Sequence, residues 1–308
     1  MSSPFGEATV IVNPHAGRRH VAEEIPELER TLRSRGLAYR LLRTQGRGDA
    51  TRFAREAAEA GARFVVAVGG DGTVNEVVNG LLRDDGTPIS AGSVLGVVGA
   101  GSGCDLIRTF GLPGDVTRAC HHLTGDNTYP LDVGRVRYST AAGEETRFFV
   151  NVAEAGLGAA VAARAERMSP RLGQAKYFVG FWLTLPRFKL AEVRVRADRK
   201  TYEGPAYMIV VGNAQYYGGG MKISPRSYPG DGVLDVLVFK GPKSDSFTFI
   251  PKIYRGEHIP HPHVEELRVR RELIVEADRA LPIEADGEIL GTTSARFDVV
   301  AQPLEMKL

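Results

Sequence analysis

Residues 63–82 read RFVVAVGGDGTVNEVVNGLL, and the reading of the fold turns on them. A strand's worth of apolar residues enters a glycine corner and leaves it as a helix, the repeating unit of a parallel α/β sheet. One carboxylate, Asp71, stands in that corner between Gly70 and Gly72, with Thr73, Asn75 and Glu76 close behind and no lysine beside it. Outward from here the alternation recurs. ATVIVNP (residues 8–14) is a β-rich run, followed by a helical pattern at 20–36 that ends on glycine. AYRLLRT (38–44) and GDATRFAREAAEAG (48–61) repeat the pair, and SVLGVVGAG (93–101) adds a fourth strand. Strands separated by helices of this length predict right-handed βαβ units and a doubly wound parallel sheet.

After about Leu131 the texture changes. LDVGRVRYST (131–140), TRFFVNVAEAG (146–156), AEVRVRADRKTYEG (191–204), AYMIVVGNA (206–214), GVLDVLVFK (232–240), ELRVRRELIVEAD (266–278) and ALPIEADGE (280–288) alternate apolar with polar residues. That pattern predicts antiparallel sheet, with one helical interruption at about 164–189. The expectation is an N-terminal doubly wound α/β domain and a mainly antiparallel β-rich second domain. At 308 residues the chain is long enough for both. Its net charge of +2 supplies no field for a nucleic-acid partner. The two cysteines, Cys104 and Cys120, lack the number for a disulfide framework and the spacing of a zinc finger. MSSPFGEA runs straight into strand, so no signal peptide is expected, and the longest uncharged apolar run, YFVGFWLTL (177–185), is too short to span a membrane. The expected location is the cytoplasm, with any membrane contact made from the surface.

Ligands of doubly wound sheets bind at the carboxyl ends of the strands, where glycine turns feed helix N-termini. Three polar or glycine-rich turns fall there: NPHAG (13–17), GGDGT (69–73) and GAGSGCD (99–105). Three such turns at one edge suit a polyphosphate, although none is a P-loop, because no Lys-Ser/Thr pair follows. A carboxylate among phosphates is repelled unless a cation lies between them, so Asp71 points to Mg²⁺ with mostly water ligands.

Together, VNPHAG (12–17), GGDGTVNEVVNGLL (69–82), LGVVGAGSGCDLIRTFGLP (95–113), LDVGRV (131–136), GNAQYYGGGMKISPRSYPGDGVLDV (212–236) and EADGE (284–288) resemble the diacylglycerol kinase catalytic-domain family, in the family's order. That family includes bacterial soluble lipid kinases and sphingosine and ceramide kinases, and its fold is related to that of NAD kinases. The resemblance implies a nucleotide site lined by Asn13, Pro14, His15, Ala16, Gly17, Thr44, Gly70, Asp71, Gly72, Thr73, Val74, Asn75, Glu76 and Ser102. It implies an acidic network of Asp71, Asp105 and Asp132 that organises Mg²⁺ and water. Asp231, with the backbone carbonyls of Tyr228 and Val233, would bind a structural Mg²⁺, and Glu288 would be the general base. The last stretch, about 296–308, would return to a nucleotide-binding domain of residues 1–133, leaving 134–295 as a β-sandwich that holds lipid.

The implied activity is ATP-dependent phosphorylation of a lipid hydroxyl, with diacylglycerol giving phosphatidic acid. Sphingoid-base, ceramide or NAD kinase activity is the alternative within this chemistry. A catalytically weakened nucleotide- or lipid-binding protein is the alternative outside it, because Gly99, Ser102 and Cys104 stand where the family usually has proline, threonine and asparagine. Of these, Gly99 is expected to loosen the turn, and EAGLGAAVA (154–162) lacks the acid the family often has after the glycines. The aromatic segment KYFVGFWLTLPRFK (176–189) reads either as a core helix or as a wall for acyl chains with basic ends at a membrane surface. His258, His261 and His263 lie close together but lack an evident fourth zinc ligand. A homodimer is left open.

Overall fold

The computed structural model describes residues 3–99, 104–140, 143–169, 172–173 and 175–308. The first half follows the alternation read from the sequence: β1 (Ala8–Val12), α1 (His20–Ser34), β2 (Tyr39–Arg43), α2 (Asp49–Glu59), β3 (Phe64–Gly69), α3 (Asp71–Leu81) and β4 (Val94–Gly99). Short helices α4 (Asp105–Phe110) and α5 (Val116–Ala119) follow. The strands are all parallel in the order β4-β3-β1-β2, and every residue of β1, β3 and β4 is buried. Both faces of such a sheet are covered by helices, which is why these strands read as unbroken apolar runs. Helix α2 presents Ala50, Ala54, Ala57 and Ala58 to the interior, and α3 meets it so closely that a Cβ on Gly80 would lie 2.4 Å from the Thr51 carbonyl oxygen. That close approach requires glycine, and it sets the angle at which α3 delivers Asp71 to the sheet edge.

The second half contains β5 (Thr128–Thr140), β6 (Gly143–Phe149), β7 (Val152–Gly156), α6 (Leu157–Glu166), α7 (Ala175–Thr184), β8 (Ala191–Ala197), β9 (Lys200–Ala206), β10 (Met208–Gly212), β11 (Leu234–Phe239), α8 (Ser246–Arg255), β12 (Val264–Val269), β13 (Leu273–Ala277), β14 (Pro282–Ala285) and β15 (Glu288–Lys307). One layer runs β12-β11-β10-β7-β14-β15, and β13, β8 and β9 extend from β15 to form the other. Their inward faces meet in one core that includes Phe149, Val195, Val211, Val236, Val275 and Phe297. Strand β8 alternates strictly between buried and exposed, whereas β7, β10 and β11 are buried throughout. The difference arises because residues of α6 and α8, including Leu157, Val161, Phe249 and Ile253, cover the outer face of the latter strands.

Several boundaries differ from expectation. TRFFVNVAEAG breaks into two strands at Val150–Asn151, and AEVRVRADRKTYEG and ELRVRRELIVEAD each divide at a turn. The helical interruption begins at Leu157 rather than about 164, and α8 lies in a stretch with no marked pattern in the sequence reading. Strand β15 binds the two halves together. It runs antiparallel to β5 from Thr292–Ser139 to Lys307–Thr128, and its end pairs parallel with β4 through Glu305–Val94 and Met306–Leu95. Asp298 of β15 accepts hydrogen bonds from Arg135 Nε (2.8 Å) and Nη2 (3.0 Å) and from Arg137 Nη2 (2.8 Å). The β-sheet thereby carries the chain across and back, and a cleft opens where α3 faces β7 and β14.

Candidate active site

The turns after β1, β2 and β3 share the carboxyl edge of the parallel sheet. The Asn13 amide donates to Thr73 Oγ1 (3.1 Å), and its side-chain oxygen accepts from the His15 N–H (3.0 Å), so the turn of Asn13, Pro14, His15, Ala16 and Gly17 is stitched to the start of α3. Thr44 continues the edge through its N–H to the Val12 carbonyl (2.9 Å). Gly70 precedes α3 and Gly72 is exposed in its first turn, with open space where a Cβ would stand. First-turn N–H groups lack partners within their own helix, so this edge can receive an anion.

Three other residues of that turn are committed elsewhere. Val74 lies in the core. Asn75 is fully buried and donates to the Phe148 carbonyl (2.8 Å) and Asp286 Oδ2 (2.9 Å), while its oxygen accepts from Arg147. Glu76 accepts from the N–H groups of Gly48 (3.0 Å) and Ala50 (3.1 Å), capping α2. These are structural duties, and a family motif does not separate them from ligand contacts. Ser102 lies outside the described residues. Gly99 is not a loosened loop position, because it ends β4, buried and paired with Gly69. Cys104 is buried, and desolvation followed by the Asp71 charge pushes its thiol up, so it is a poor nucleophile.

Asp71 Oδ1 accepts from the Asp105 N–H (2.7 Å) and from the Asn151 amide (3.2 Å). Burial, then Asp105, raises its carboxyl to about 7. Asp105 is buried, with Oδ2 accepting from the Gly219 N–H (2.8 Å) and Oδ1 3.3 Å from Arg108 Nε without hydrogen-bond geometry. Burial raises its carboxyl as well. The structure thus joins Asp71 to Asp105 but not to Asp132. Both Asp132 oxygens are occupied, Oδ2 by the Gly232 N–H (2.6 Å) and Oδ1 by the Gln302 N–H (3.0 Å), which ties the PGDG turn to the β15 bend.

Glu288 also stands apart from the aspartates. One oxygen makes a short contact with Arg147, and the other is 3.4 Å from Arg47. Both oxygens thus face guanidinium groups, and Glu288 is not among the residues that line the cavity described below. Its neighbour Asp286 accepts the N–H groups of Val150, Asn151 and Val152 (2.8, 2.9 and 3.1 Å) and closes the bend between β6 and β7.

At the second implied metal site, Asp231 accepts from the Val233 N–H (3.1 Å) and lies 3.6 Å from Arg268, and Tyr228 offers a carbonyl in the same turn. Among the described residues no cluster of three or more His, Cys, Asp or Glu side chains could hold a metal. A cation here would therefore need backbone carbonyls and water. The donor set fits a hard cation: all ligands are oxygens, and burial followed by the nearby Asp235 raises the Asp231 carboxyl, a cost that a cation would offset. Of the histidines, His258 is turned away to the Ile223 carbonyl, while His261 and His263 stay together with ring centroids 5.3 Å apart and His263 meets Asp245.

A cavity of about 520 Å³ opens from Asp71, Asp105 and Asp286 at one end into an apolar chamber. Phe178 and Phe181 of α7, Met208 and Phe239 of the sheet, and Phe249 and Ile253 of α8 line it. The aromatic segment is both helix core and cavity wall. Gly180 and Thr184 face inward, while Phe178, Val179 and Leu183 are exposed, with Phe247 of α8 beside Trp182 at 4.9 Å. Among the described residues no helix is long and apolar enough to cross a membrane. The sequence reading missed Asn151, Asp286, Arg47, Arg147 and the buried carboxyls Glu154 and Glu284. Of these, Asp286 and Glu284 lay inside EADGE and Glu154 at the head of EAGLGAAVA, both stretches it had marked.

Residues 7–136 match the diacylglycerol kinase catalytic domain, and residues 151–307 match the YegS C-terminal NAD kinase beta sandwich-like domain. The chain is 29% identical over 293 residues to a diacylglycerol kinase of Bacillus subtilis, covering 94% of this chain and 92% of that one. It is 29% identical over 220 residues to the probable lipid kinase YegS of Escherichia fergusonii, covering 71% and 70%. The crystal structure of a diacylglycerol kinase from Bacillus anthracis superimposes with a TM-score of 0.75 at 22% identity, over 99% of this chain and 97% of that one, and shares its fold. With an acid-tipped apolar cavity set against a glycine-rich phosphate edge, the chain belongs to the diacylglycerol kinase family and is a lipid-kinase-type enzyme.

Proposed function

We propose that this enzyme transfers the γ-phosphoryl group of ATP to the hydroxyl of diacylglycerol or a closely similar neutral lipid, giving phosphatidic acid or its analogue. One observation carries the reading: the apolar cavity ends at Asp71, on the same turn that presents the phosphate edge. An acyl chain in the cavity would bring its hydroxyl to that carboxylate. Asp71 takes the hydroxyl proton as the new oxygen–phosphorus bond forms and the bond to the bridging oxygen of ADP breaks. Asp105 keeps one oxygen free of hydrogen bonds and is the carboxylate available to the water shell of Mg²⁺. When bound, Mg²⁺ supplies charge neutralisation between the phosphates. Arg47 and Arg147, held by Glu288, place positive charge beside that edge. In this division residues 1–133, with the return at about 296–308, bind nucleotide, and 134–295 bind lipid. The direct test is labelled ATP with diacylglycerol, monoacylglycerol, sphingosine, ceramide and NAD in parallel. Label in extractable lipid is expected, and label in NAD alone would overturn the assignment.

The exposed aromatics of α7 and α8 support access from a membrane surface, since Phe178 and Phe247 are each more than 60% exposed on the cavity's outer rim. Changing both to aspartate is expected to weaken sedimentation with anionic vesicles about tenfold or more, from the apolar burial of two phenylalanines. Activity on a short-chain soluble acceptor should persist, and unchanged sedimentation would rule out this face as the contact.

The Asp231 turn is proposed to hold a structural Mg²⁺ with the carbonyls of Tyr228 and Val233. A cation bound to the native state adds stability as its concentration rises. Mg²⁺ should therefore raise the melting temperature of the wild type more than that of Asp231→Ala. Equal shifts in the two proteins would count against the site.

A further inference from the structure

One carboxyl group outside the phosphate end, Glu284, lies in the cavity wall, and a second, Glu154, is buried behind it. Glu154 of β7 and Glu284 of β14 are directly paired across adjacent antiparallel strands, so their side chains lie side by side on one face. Glu154 is fully buried. Its Oε1 accepts from the N–H groups of Gly158 and Ala159 in the first turn of α6, and among the described residues its Oε2 has no hydrogen-bond partner. A Cβ on Gly158 would collide with this carboxyl at 2.1 Å, so the second glycine of EAGLG is what makes room for the acid. Glu284 is 5% exposed, lines the cavity and makes no hydrogen bond among the described residues. Among the described residues no lysine, arginine or histidine lines the cavity. The groups facing the pair are Asp286 after β14, Glu166 of α6, Tyr177 of α7 and Tyr217, with Tyr254 of α8 behind Tyr217; all are acidic or phenolic.

We propose that Glu154 and Glu284 hold one proton between them and that Glu284, the member facing the cavity, hydrogen-bonds the oxygens of a neutral lipid head, selecting a neutral acceptor over a charged one. Two carboxylates in a dry wall without a cation cannot both stay ionised, and an unpaired buried charge is costly. With the proton on Glu284 and Glu154 held as carboxylate by the N–H groups of α6, the Glu284 carboxyl offers the cavity a donor and an acceptor, which matches a hydroxyl or an ester carbonyl. A phosphate-bearing head would be repelled, and an ammonium would need the proton removed. Burial raises Glu154 to about 7, and burial followed by Glu154 raises Glu284 to about 8, consistent with a proton retained at neutral pH. The inference deepens the lipid-kinase reading and rests on it for the identity of the acceptor.

Binding of a fluorescent diacylglycerol in mixed micelles to the full chain, without nucleotide, tests the pair. Glu284→Leu should weaken binding about tenfold, as for loss of a hydrogen bond within the cavity. Glu284→Gln keeps the neutral donor and acceptor and should bind like the wild type. Wild-type binding should fall as pH rises past about 8, where the shared proton leaves, and the Gln variant should stay level from about pH 6 to 9. Stability gives a second readout. A carboxyl raised in the folded state favours folding while protonated, so wild-type melting temperature should decline between about pH 4.5 and 8 and Glu284→Gln should decline less. If the Leu variant does not fold, the level pH profile of the Gln variant decides. The proposal is overturned if wild-type protein binds no neutral lipid, or if Glu284→Leu binds as well as wild type. It is also overturned if a long-chain amine binds better than diacylglycerol and Gln loses as much as Leu. Lipid bound as expected, with no ADP released on adding ATP and Mg²⁺, would instead refute the kinase reading alone.

Discussion

Asp71→Asn is expected to lower kcat by about 10²–10⁴, the range for loss of a positioned general base. Glu288→Gln should act chiefly on the KM for ATP and change kcat by less than about tenfold. The contrast follows from where the two acids lie. Asp71 borders the acceptor cavity and already carries a raised pKa of about 7, from burial and from Asp105. A carboxylate so tuned takes a proton readily near neutral pH. Glu288 is outside the cavity lining, with both oxygens facing Arg147 and Arg47. Neutralising it frees two guanidiniums at the phosphate edge, an effect on nucleotide binding rather than on proton transfer. Single-turnover rates and ATP affinities of both variants, measured at several Mg²⁺ concentrations, separate the roles. A large loss of chemistry in Glu288→Gln beside a mild one in Asp71→Asn would return the base to Glu288.

The largest effect on stability is expected at Asp286. Its carboxylate accepts three consecutive backbone N–H groups, from Val150 to Val152, and the Asn75 amide. Burial pushes this carboxyl up against the pull of those donors. Asp286→Ala would leave them without their acceptor at the cavity mouth, where water replaces the lost oxygens only in part. With partial access of water holding each loss near about 1 kcal/mol, the low end for an unsatisfied group, a total of about 4 kcal/mol is expected for the four donors. That corresponds to a fall in melting temperature on the order of 10 °C. Asp286→Asn should recover part of it, since one carbonyl oxygen remains. A shift of the Ala variant within a degree or two of wild type would show that the bend between β6 and β7 is held by something else.

The alternation of strand and helix through residue 99 was legible in the sequence because parallel strands buried on both faces must be apolar throughout, and glycine must mark the turns that feed the helices. The second half was legible as antiparallel sheet, but not its breaks. A strand such as β10, covered by helices on its outer face, loses the alternation that distinguishes strand from core helix. Asp71 could be singled out from its glycine neighbours alone. What it does could not, because its raised pKa and its place at the cavity mouth come from Asp105, Asn151 and β14, which are distant in sequence and meet only when β15 draws the halves together. Asp132, Asn75 and Glu76 show the same limit from the other side. Each belongs to a marked motif, yet its hydrogen bonds go to Gln302, Asp286 and the start of α2. Glu154 and Glu284 each stood in a quoted stretch, but their pairing had no signal, since cross-strand register decides that two acids 130 positions apart become neighbours. Local pattern reports what one segment needs from water. The chemistry of a site depends on which groups exclude that water together, and only the tertiary structure sets that.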